Sequence, residues 1–408
     1  MNNTELRQAG SSTDRECPGR SSKSVNVVTV SAYYAGHGGG VERVAFEIIS
    51  RMAYKEQVRL QWLALDSGPG PSGVEKLTVT PLGGSNFVER RTGLPFPLIF
   101  PSAIKKLHTS IKKADIVHIH DFVYSMCIIS WLFARWYKIP VVITQHTGEK
   151  PFKNPVFRVL LQTVNQLAGK KILQKSAAVV FISNKSFRYF SGADTDIPSR
   201  WEYLPNGVDF DCFYPVVRSN SFKMHGTGSN SRHTSSVLFV GRFVMEKGLH
   251  IIRELAERTP EIRWILAGQG KIDPGRWNLP NVTLRGHLDQ KELADLYRQA
   301  GLLFLPSIGE GFPLVIQEAV SCKLPVLTNT DTCRGCKDAF NWLHCVDMTN
   351  SDYLDRFEKK LRDILFDETF NSKVLDMAEA GFLYAEKNWS WDRVVGRYHE
   401  MFMRITMD

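Results

Sequence analysis

Leu302-Leu303-Phe304-Leu305, followed by Gly309-Glu310-Gly311-Phe312-Pro313-Leu314-Val315-Ile316-Gln317-Glu318-Ala319, reads as an apolar strand, a glycine turn and the opening of a helix. Gly309 and Gly311 turn the chain. Pro313 begins the helix, where a fixed φ and a missing N–H suit the first helical position. Unpaired N–H donors and the positive end of the helix dipole then attract an anion such as a diphosphate. Glu310 stands before the helix and Glu318 about one and a half turns inside it, so the two cannot form a close acid/base pair. They are spaced to hold hydroxyls at two ends of one ligand. Taken alone, the same residues also describe a buried strand, a turn and a helix with surface glutamates.

A second segment has the same form. Val237-Leu238-Phe239-Val240-Gly241-Arg242-Phe243-Val244-Met245-Glu246-Lys247-Gly248-Leu249 is a β-branched and aromatic strand, then a loop, with helix resuming near Leu249. Arg242 offers a planar fork for paired phosphate oxygens and Lys247 a compact point charge. Together they suit the charge that grows on a departing diphosphate. In isolation they would be two solvated basic residues.

Strands and helices alternate along the chain as in βαβ units with parallel sheets. Val25-Asn26-Val27-Val28-Thr29-Val30 leads into Gly36-His37-Gly38-Gly39-Gly40, after which Val41, Val44, Ala45, Ile48, Ile49 and Met52 recur at helical spacing. Gly38, Gly39 and Gly40 let a ligand approach the backbone where helix N–H groups open, or make an ordinary βα turn. Ile116-Val117-His118-Ile119-His120-Asp121 and Val141-Val142-Ile143-Thr144-Gln145-His146 read as strands with histidine at the carboxyl end, where doubly wound sheets bind ligands. Asp121 equally suits an N-cap for the helix that follows. In the second half, strands are expected at 237–240, 264–267, 282–284, 302–305 and 325–327.

In this order and at these separations the motifs resemble the retaining family 4 glycosyltransferases of GT-B fold, over nearly the whole chain from about Val25. The Glu310-x7-Glu318 segment and the Gly241-Arg242-x4-Lys247-Gly248 loop carry the resemblance. Gly38-Gly39-Gly40-Val41-Glu42-Arg43, Pro205-Asn206-Gly207-Val208-Asp209 with Phe213 and Pro215, and Trp389-Ser390-Trp391-Asp392-Arg393 extend it. It implies two Rossmann-like, doubly wound parallel-sheet domains facing across a cleft, with a C-terminal helix returning to the first. Residues 1–22 would be a disordered tail, 23–215 the acceptor-binding domain, 216–235 a Ser/Gly/Asn-rich linker, 236–387 the nucleotide-sugar domain and 388–408 the returning helix.

The resemblance also implies roles. Glu318 would bind the ribose hydroxyls, Arg242 and Lys247 the diphosphate, and Glu310 the transferred sugar. Backbone groups of Gly241, Gly311, Phe312, Leu314 and Val315 would join them, with His287 and Leu288 in the base-binding loop. His146 would meet the donor sugar, and His120 and Asp121 would face the acceptor. The donor would be a UDP-, GDP- or ADP-sugar. No covalent nucleophile is evident, so a same-face displacement is expected, with the leaving phosphate taking the acceptor proton. No metal or other cofactor is expected, since two cations and a helix dipole offset the diphosphate charge and no Asp-x-Asp triplet occurs. The family's usual Gly-Gly loop after the strand at 325–327 is replaced here by Cys333-Arg334-Gly335-Cys336, and that part of the pocket departs from the pattern.

Composition bounds the partners. The 408 residues exceed what one core usually serves, and 43% hydrophobic content is ordinary for a globular protein. The net +9 lies wholly in residues 1–215, with 26 Lys and Arg against 17 Asp and Glu; residues 101–200 hold 15 basic and 5 acidic side chains. Such a face attracts an anion. An anionic membrane surface and a glycan or lipid-linked acceptor fit it; nucleic acid does not, because no recognised motif accompanies the charge. Lys150, Lys153, Arg158, Lys170, Lys171 and Lys175, interleaved with Phe152, Phe157, Val159, Leu160 and Leu161, suggest a membrane-surface segment or a solvated basic helix face. The longest apolar stretch, Phe122 to Ala134, is too short to span and reads as a buried helix. No signal peptide is visible. Seven cysteines then read as reduced thiols of a cytoplasmic protein, peripheral on the inner membrane face. Cys333 and Cys336 with His344 and Cys345 give only one correctly spaced pair for zinc.

Three other readings remain open at this point: a nucleotide-sugar epimerase of the same fold, a pyridoxal-phosphate phosphorylase of related fold, and a non-catalytic sugar-nucleotide-binding subunit.

Overall fold

The computed structural model describes residues 24–37, 39–65, 73–87, 91, 97–148, 165–192, 197–215 and 235–407. The expected tail and nearly all of the expected linker, Gly38, and the basic stretch holding Lys150, Lys153 and Arg158 lie outside them.

Near-continuous apolar runs make strands buried on both faces, which is how parallel sheets read. The first sheet takes β1 (Val25–Tyr33), β2 (Val58–Leu65) and β3 (Leu77–Leu82), then, after a short antiparallel pair β4 (Gly84–Ser85) and β5 (Leu98–Ile99), β6 (Ile116–His120), β7 (Val141–Gln145), β8 (Ala178–Phe181) and β9 (Trp201–Tyr203). Its order is β3-β2-β1-β6-β7-β8-β9, all parallel. The second sheet holds β10 (Ser236–Val240), β11 (Arg263–Ala267), β12 (Val282–Arg285), β13 (Leu302–Leu305), β14 (Val326–Asn329) and β15 (His344–Val346) in the order β12-β11-β10-β13-β14-β15, also all parallel. Each order reverses once, between β1 and β6 and between β10 and β13. The carboxyl ends of those strands are therefore where a ligand crevice opens.

The first sheet has a core on each face. One is closed by the Pro101–Ile111 and Ser125–Trp136 helices, the other by Gly40–Met52 and the final helix Trp391–Met407. The return of the last helix is driven by Trp391, Val394, Val395, Tyr398, Met401 and Phe402, all buried against β1, β2 and the Gly40–Met52 helix. The crossing back is made at Trp389, 0% exposed, whose ring lies 5.8 Å from Phe312, 5.5 Å from Trp342 and 5.6 Å from Tyr384. Its carbonyl accepts the Val208 N–H at 2.6 Å. Gly207 has no room for a Cβ, which would enter the Trp391 ring. The Pro205–Asp209 and Trp389–Asp392 motifs are thus one joint between the two sheets.

Three expectations change. The apolar helix over Ser125–Trp136 is buried on one face only, through Met126, Cys127, Ser130 and Ala134, while Leu132 is 53% and Trp136 80% exposed. Pro313 is the N-cap of the Leu314–Ser321 helix, with φ −66° and ψ 136°, because its extended ψ closes the turn from Gly311. The cysteines are not all reduced: Cys333 and Cys345 form a disulfide, brought together by β14 and β15 lying side by side. Cys336 stays a free thiol, buried beside the hydroxyls of Tyr203 and Tyr384. Among the described residues no group of three or more His, Cys, Asp and Glu is placed to hold a metal ion.

Candidate functional site

The loops after β10 and β13 are locked together by glycine. Gly248 adopts φ 77°, and a Cβ there would strike the Pro306 carbonyl, so this close approach and left-handed turn need glycine. Ile308 donates its N–H to the Glu246 carbonyl at 2.8 Å. This docking sets Lys247 and Glu310 in a direct ion pair, with both side chains largely shielded from solvent. The second oxygen of Glu310 is buried without a hydrogen-bond partner. A buried carboxylate oxygen left open in this way is an unfilled acceptor position. Arg242 is exposed at the mouth of the same turn.

Glu318, 2% exposed, faces inward from the Leu314–Ser321 helix. One carboxylate oxygen pairs with Arg43 of the first domain at 2.9 Å, and the other accepts the Tyr297 hydroxyl at 3.0 Å. Burial, then the Glu318 charge, pushes the Tyr297 phenol well above its usual range, so it stays a donor. Next to Glu318, Gln317 donates to the Asn206 carbonyl at 2.8 Å. Leu314 packs against the first domain's core and Phe312 is buried in the aromatic joint, so the side chains of both are structural. Ile316 is the first N–H of the helix to return a bond, to the Pro313 carbonyl at 3.1 Å, which leaves those of Leu314 and Val315 ahead of the ladder.

From the first domain, β6 and β7 bring three histidines together. Residues two apart on a strand share a face, so His118 and His120 both turn toward the final helix. His118 Nε2 lies 2.8 Å from the Thr144 hydroxyl, which lies 2.8 Å from the Tyr398 hydroxyl. His120 Nδ1 lies 3.0 Å from His146 Nε2. Burial holds all three below the usual imidazole range: His118 falls to about 3, with the His146 charge adding to burial, and His120 goes well below normal. His146 is lowered by burial, against an opposing pull from Asp121. All three are therefore neutral near pH 7.

Asp121 is not an N-cap. The following helix starts at Ser125 with Tyr124 as its cap, and Asp121, at φ 61°, turns its carboxylate back to β7. One oxygen accepts the N–H groups of His146 at 3.0 Å and Thr147 at 3.1 Å and the Thr147 hydroxyl at 3.2 Å; the other is buried without a partner. Gly39 is the cap of the Gly40–Met52 helix, and a Cβ at Gly40 would meet open space.

The two domains touch at this point. A Cβ on Gly311 would fall 2.9 Å from the Ser183 hydroxyl and 3.6 Å from the His146 carbonyl oxygen. Asn184 donates to the Gly335 carbonyl at 2.8 Å, and Lys185 pairs with Asp331 at 2.5 Å. The Cys333–Cys336 stretch, in place of a second glycine, thus carries Gly335 between Gly311 and the first domain. His287 and Leu288 follow the edge strand β12; Gly268 links the Arg285 and Gly286 carbonyls to the Gly241 turn. Asp289 and Glu292 there form a capping box.

The structure therefore pairs Lys247 with Glu310, seats Gly311 against the His146 carbonyl, and pairs Glu318 with Arg43. Arg43, Tyr297, Asn206 and Ser183 also belong to this centre. Arg43 and Asn206 stand within motifs that extend the resemblance but carry no assigned role there, and Tyr297 and Ser183 carry no pattern signal.

Comparison with known proteins gives the family and the fold. Residues 38–211 match the family model described as Glycosyltransferase Family 4, and residues 234–362 match that of Glycosyl transferases group 1. A D-inositol 3-phosphate glycosyltransferase of Xylanimonas cellulosilytica is 27% identical over 243 residues, 54% of this chain and 56% of that protein. Its counterpart in Mycobacterium tuberculosis is 30% identical over 236 residues, 52% of this chain and 46% of the other. The chain spans about half the length of the curated relatives it matches. Among solved structures, HepE of Anabaena in complex with UDP and glucose superposes with a TM-score of 0.67 at 15% identity, over 93% of this chain and 99% of that one. Sucrose-phosphate synthase of Thermosynechococcus elongatus gives 0.69 at 15%, with 93% and 99% covered. WaaG, a glycosyltransferase involved in lipopolysaccharide biosynthesis, gives 0.60 at 19%, with 88% and 95% covered. These likenesses establish the GT-B fold.

Proposed function

The chain belongs to the group 1, family 4 glycosyltransferases, and we propose that it moves a hexose from a nucleoside-diphosphate sugar to a hydroxyl acceptor with retention of anomeric configuration. The observation that carries this reading is the open, buried oxygen of Glu310 beside Lys247, in the turn where the next residue, Gly311, meets the His146 carbonyl. A carboxylate that already spends one oxygen on a cation has the other free for a sugar hydroxyl.

In this account Glu318 holds the ribose. Lys247 and Arg242 hold the diphosphate, with the Leu314 and Val315 N–H groups at the helix start adding positive potential. The bond from the anomeric carbon to the phosphate oxygen breaks as the acceptor oxygen attacks the same face. The acceptor proton passes to the departing phosphate, so no side chain need form a bond to the sugar. His146, neutral and fixed by His120 and Asp121, lines the sugar's side of the cleft. The charge that develops on the leaving group is met by two cations, and no metal is assigned a step. HepE is described in complex with UDP-glucose and a plant starch synthase with ADP, which supports a nucleotide donor without choosing the base.

The acceptor is read as a lipid-linked or cell-envelope glycan, reached from the cytoplasmic face of the membrane. Its support is the basic first domain together with Leu98, Phe100, Ile104, Leu132 and Trp136, exposed on or beside the Pro101–Ile111 and Ser125–Trp136 helices, with Lys105, Lys112, Arg135 and Lys138 exposed among them. Apolar side chains rimmed by cations suit an anionic lipid surface. Among the described residues no helix is long and apolar enough to cross a membrane.

Incubating the protein with UDP-, GDP- and ADP-hexoses and lipid extract, then reading the anomeric proton of the product by NMR, tests this. An α-configured product from an α-configured donor, formed after exhaustive chelation, is expected. An inverted product, free sugar alone, or strict dependence on added magnesium or manganese would contradict it.

A further inference from the structure

Arg43 stands in the first turn of the Gly40–Met52 helix and reaches across the cleft to a glutamate of the other domain. Glu318 is nearly inaccessible, and a buried carboxylate persists only with partners. It receives one from each domain, Arg43 at 2.9 Å and Tyr297 at 3.0 Å. An ionised carboxylate offers about four acceptor positions, so about two remain for a vicinal diol. The neighbouring Gln317 is bonded to Asn206, which ties the same helix to the first domain at a second point. The Arg43 side chain is 35% exposed along the cleft, so a ligand can reach the pair.

We propose that Arg43 is a positioning residue for the donor nucleotide: from the acceptor-side domain it fixes the Glu318 carboxylate, so the ribose is held tightly only while the two domains are docked. This rests on the reading of Glu318 as the ribose ligand. It makes the nucleotide site a composite of both domains and couples donor occupancy to closure.

Calorimetric titration of the full chain with UDP, GDP and ADP, on the wild type, Arg43→Ala, Arg43→Lys, Arg51→Ala and the Glu318→Gln background, tests it. Arg51 is the control, since it sits on the same helix and touches the joint between the sheets, lying 5.4 Å over the Trp391 ring and 3.8 Å from the Asp209 carboxylate, but makes its ion pairs with Glu47 and Asp209 and not with Glu318. Arg43→Ala should weaken the preferred nucleotide at least about tenfold, as removing one partner of a buried pair does, and Arg43→Lys should recover part of that. Arg51→Ala should stay within about twofold, and in Glu318→Gln the further loss from Arg43→Ala should shrink to about threefold or less, because the two act through one bond. Wild-type affinity in Arg43→Ala, an equal loss in Arg51→Ala, or an undiminished loss in Glu318→Gln would overturn the proposal. Failure of the wild type to bind any of the three would overturn the donor reading itself, and the inference with it.

Discussion

At the scale of single residues, the centre is dominated by charges that neutralise one another. Lys247 pairs with Glu310 and Arg43 with Glu318, so each carboxylate expected to bind sugar or ribose already has a cation. Sequence spacing identified Lys247, Glu310 and Glu318, but it carries no information about which cation answers which carboxylate. Arg43 and Glu318 are 275 positions apart and meet only because two sheets face each other. The histidines add a pH signature. His118 sits at about 3 in the folded chain against 6.5 unfolded, so the unfolded chain binds more protons between those values. Its contribution is complete above pH 6.5 and is lost as pH falls toward 3. The urea midpoint should therefore drop steeply between pH 7.5 and pH 5, and a His118→Gln variant, which has no imidazole to protonate, should show a visibly flatter profile. Parallel profiles would contradict the assignment of that acid sensitivity to His118.

At the scale of elements, the strands were the legible part. Apolar runs at 237–240, 264–267, 302–305 and 325–327 predicted β10, β11, β13 and β14 to within about two residues, because strands buried on both faces advertise themselves, and the run at 282–284 predicted β12, a partly exposed edge strand. The joints were not legible. Trp391 and Gly207 were visible as motifs, yet their mutual packing depends on a helix returning from the far end of the chain. The cysteine-bearing turn was similarly opaque: adjacency of β14 and β15, not the Cys333-x2-Cys336 spacing, decides that Cys333 bonds Cys345. This turn carries the most sensitive glycine of the site. A Cβ at Gly335 would overlap the Gly311 carbonyl and fall 2.9 Å from that of Thr332. Gly335→Ala should push the Gly311 turn out of register with Ser183 and His146, cost about 1–3 kcal/mol of stability and lower turnover by more than tenfold. Thermal unfolding and initial rates together check this; unchanged rates in a destabilised protein would show that the turn supports the fold alone.

At the scale of the whole molecule, two doubly wound sheets each open a crevice where strand order reverses, and the chain crosses between them twice: at Trp389, and between Leu204 in the first domain's core and Val208 in the second's. The crossing after Leu204 comes earlier than the boundary expected at 215, because Phe213 also packs into the second core. Neither domain holds the whole of the proposed site. The first supplies Arg43, His146 and Ser183, the second Lys247, Glu310, Gly311 and Glu318. A ligand spanning both should stabilise the docked arrangement in proportion to its affinity. The central claim is that this cleft is a nucleoside-diphosphate-sugar site organised by Glu318. Thermal unfolding of the wild type and Glu318→Ala with a panel of nucleoside diphosphates and their hexose derivatives tests it most directly. The account predicts a raised midpoint with the diphosphates of one base, and its loss in Glu318→Ala. No shift with any of them, or a shift that survives the substitution, would contradict it.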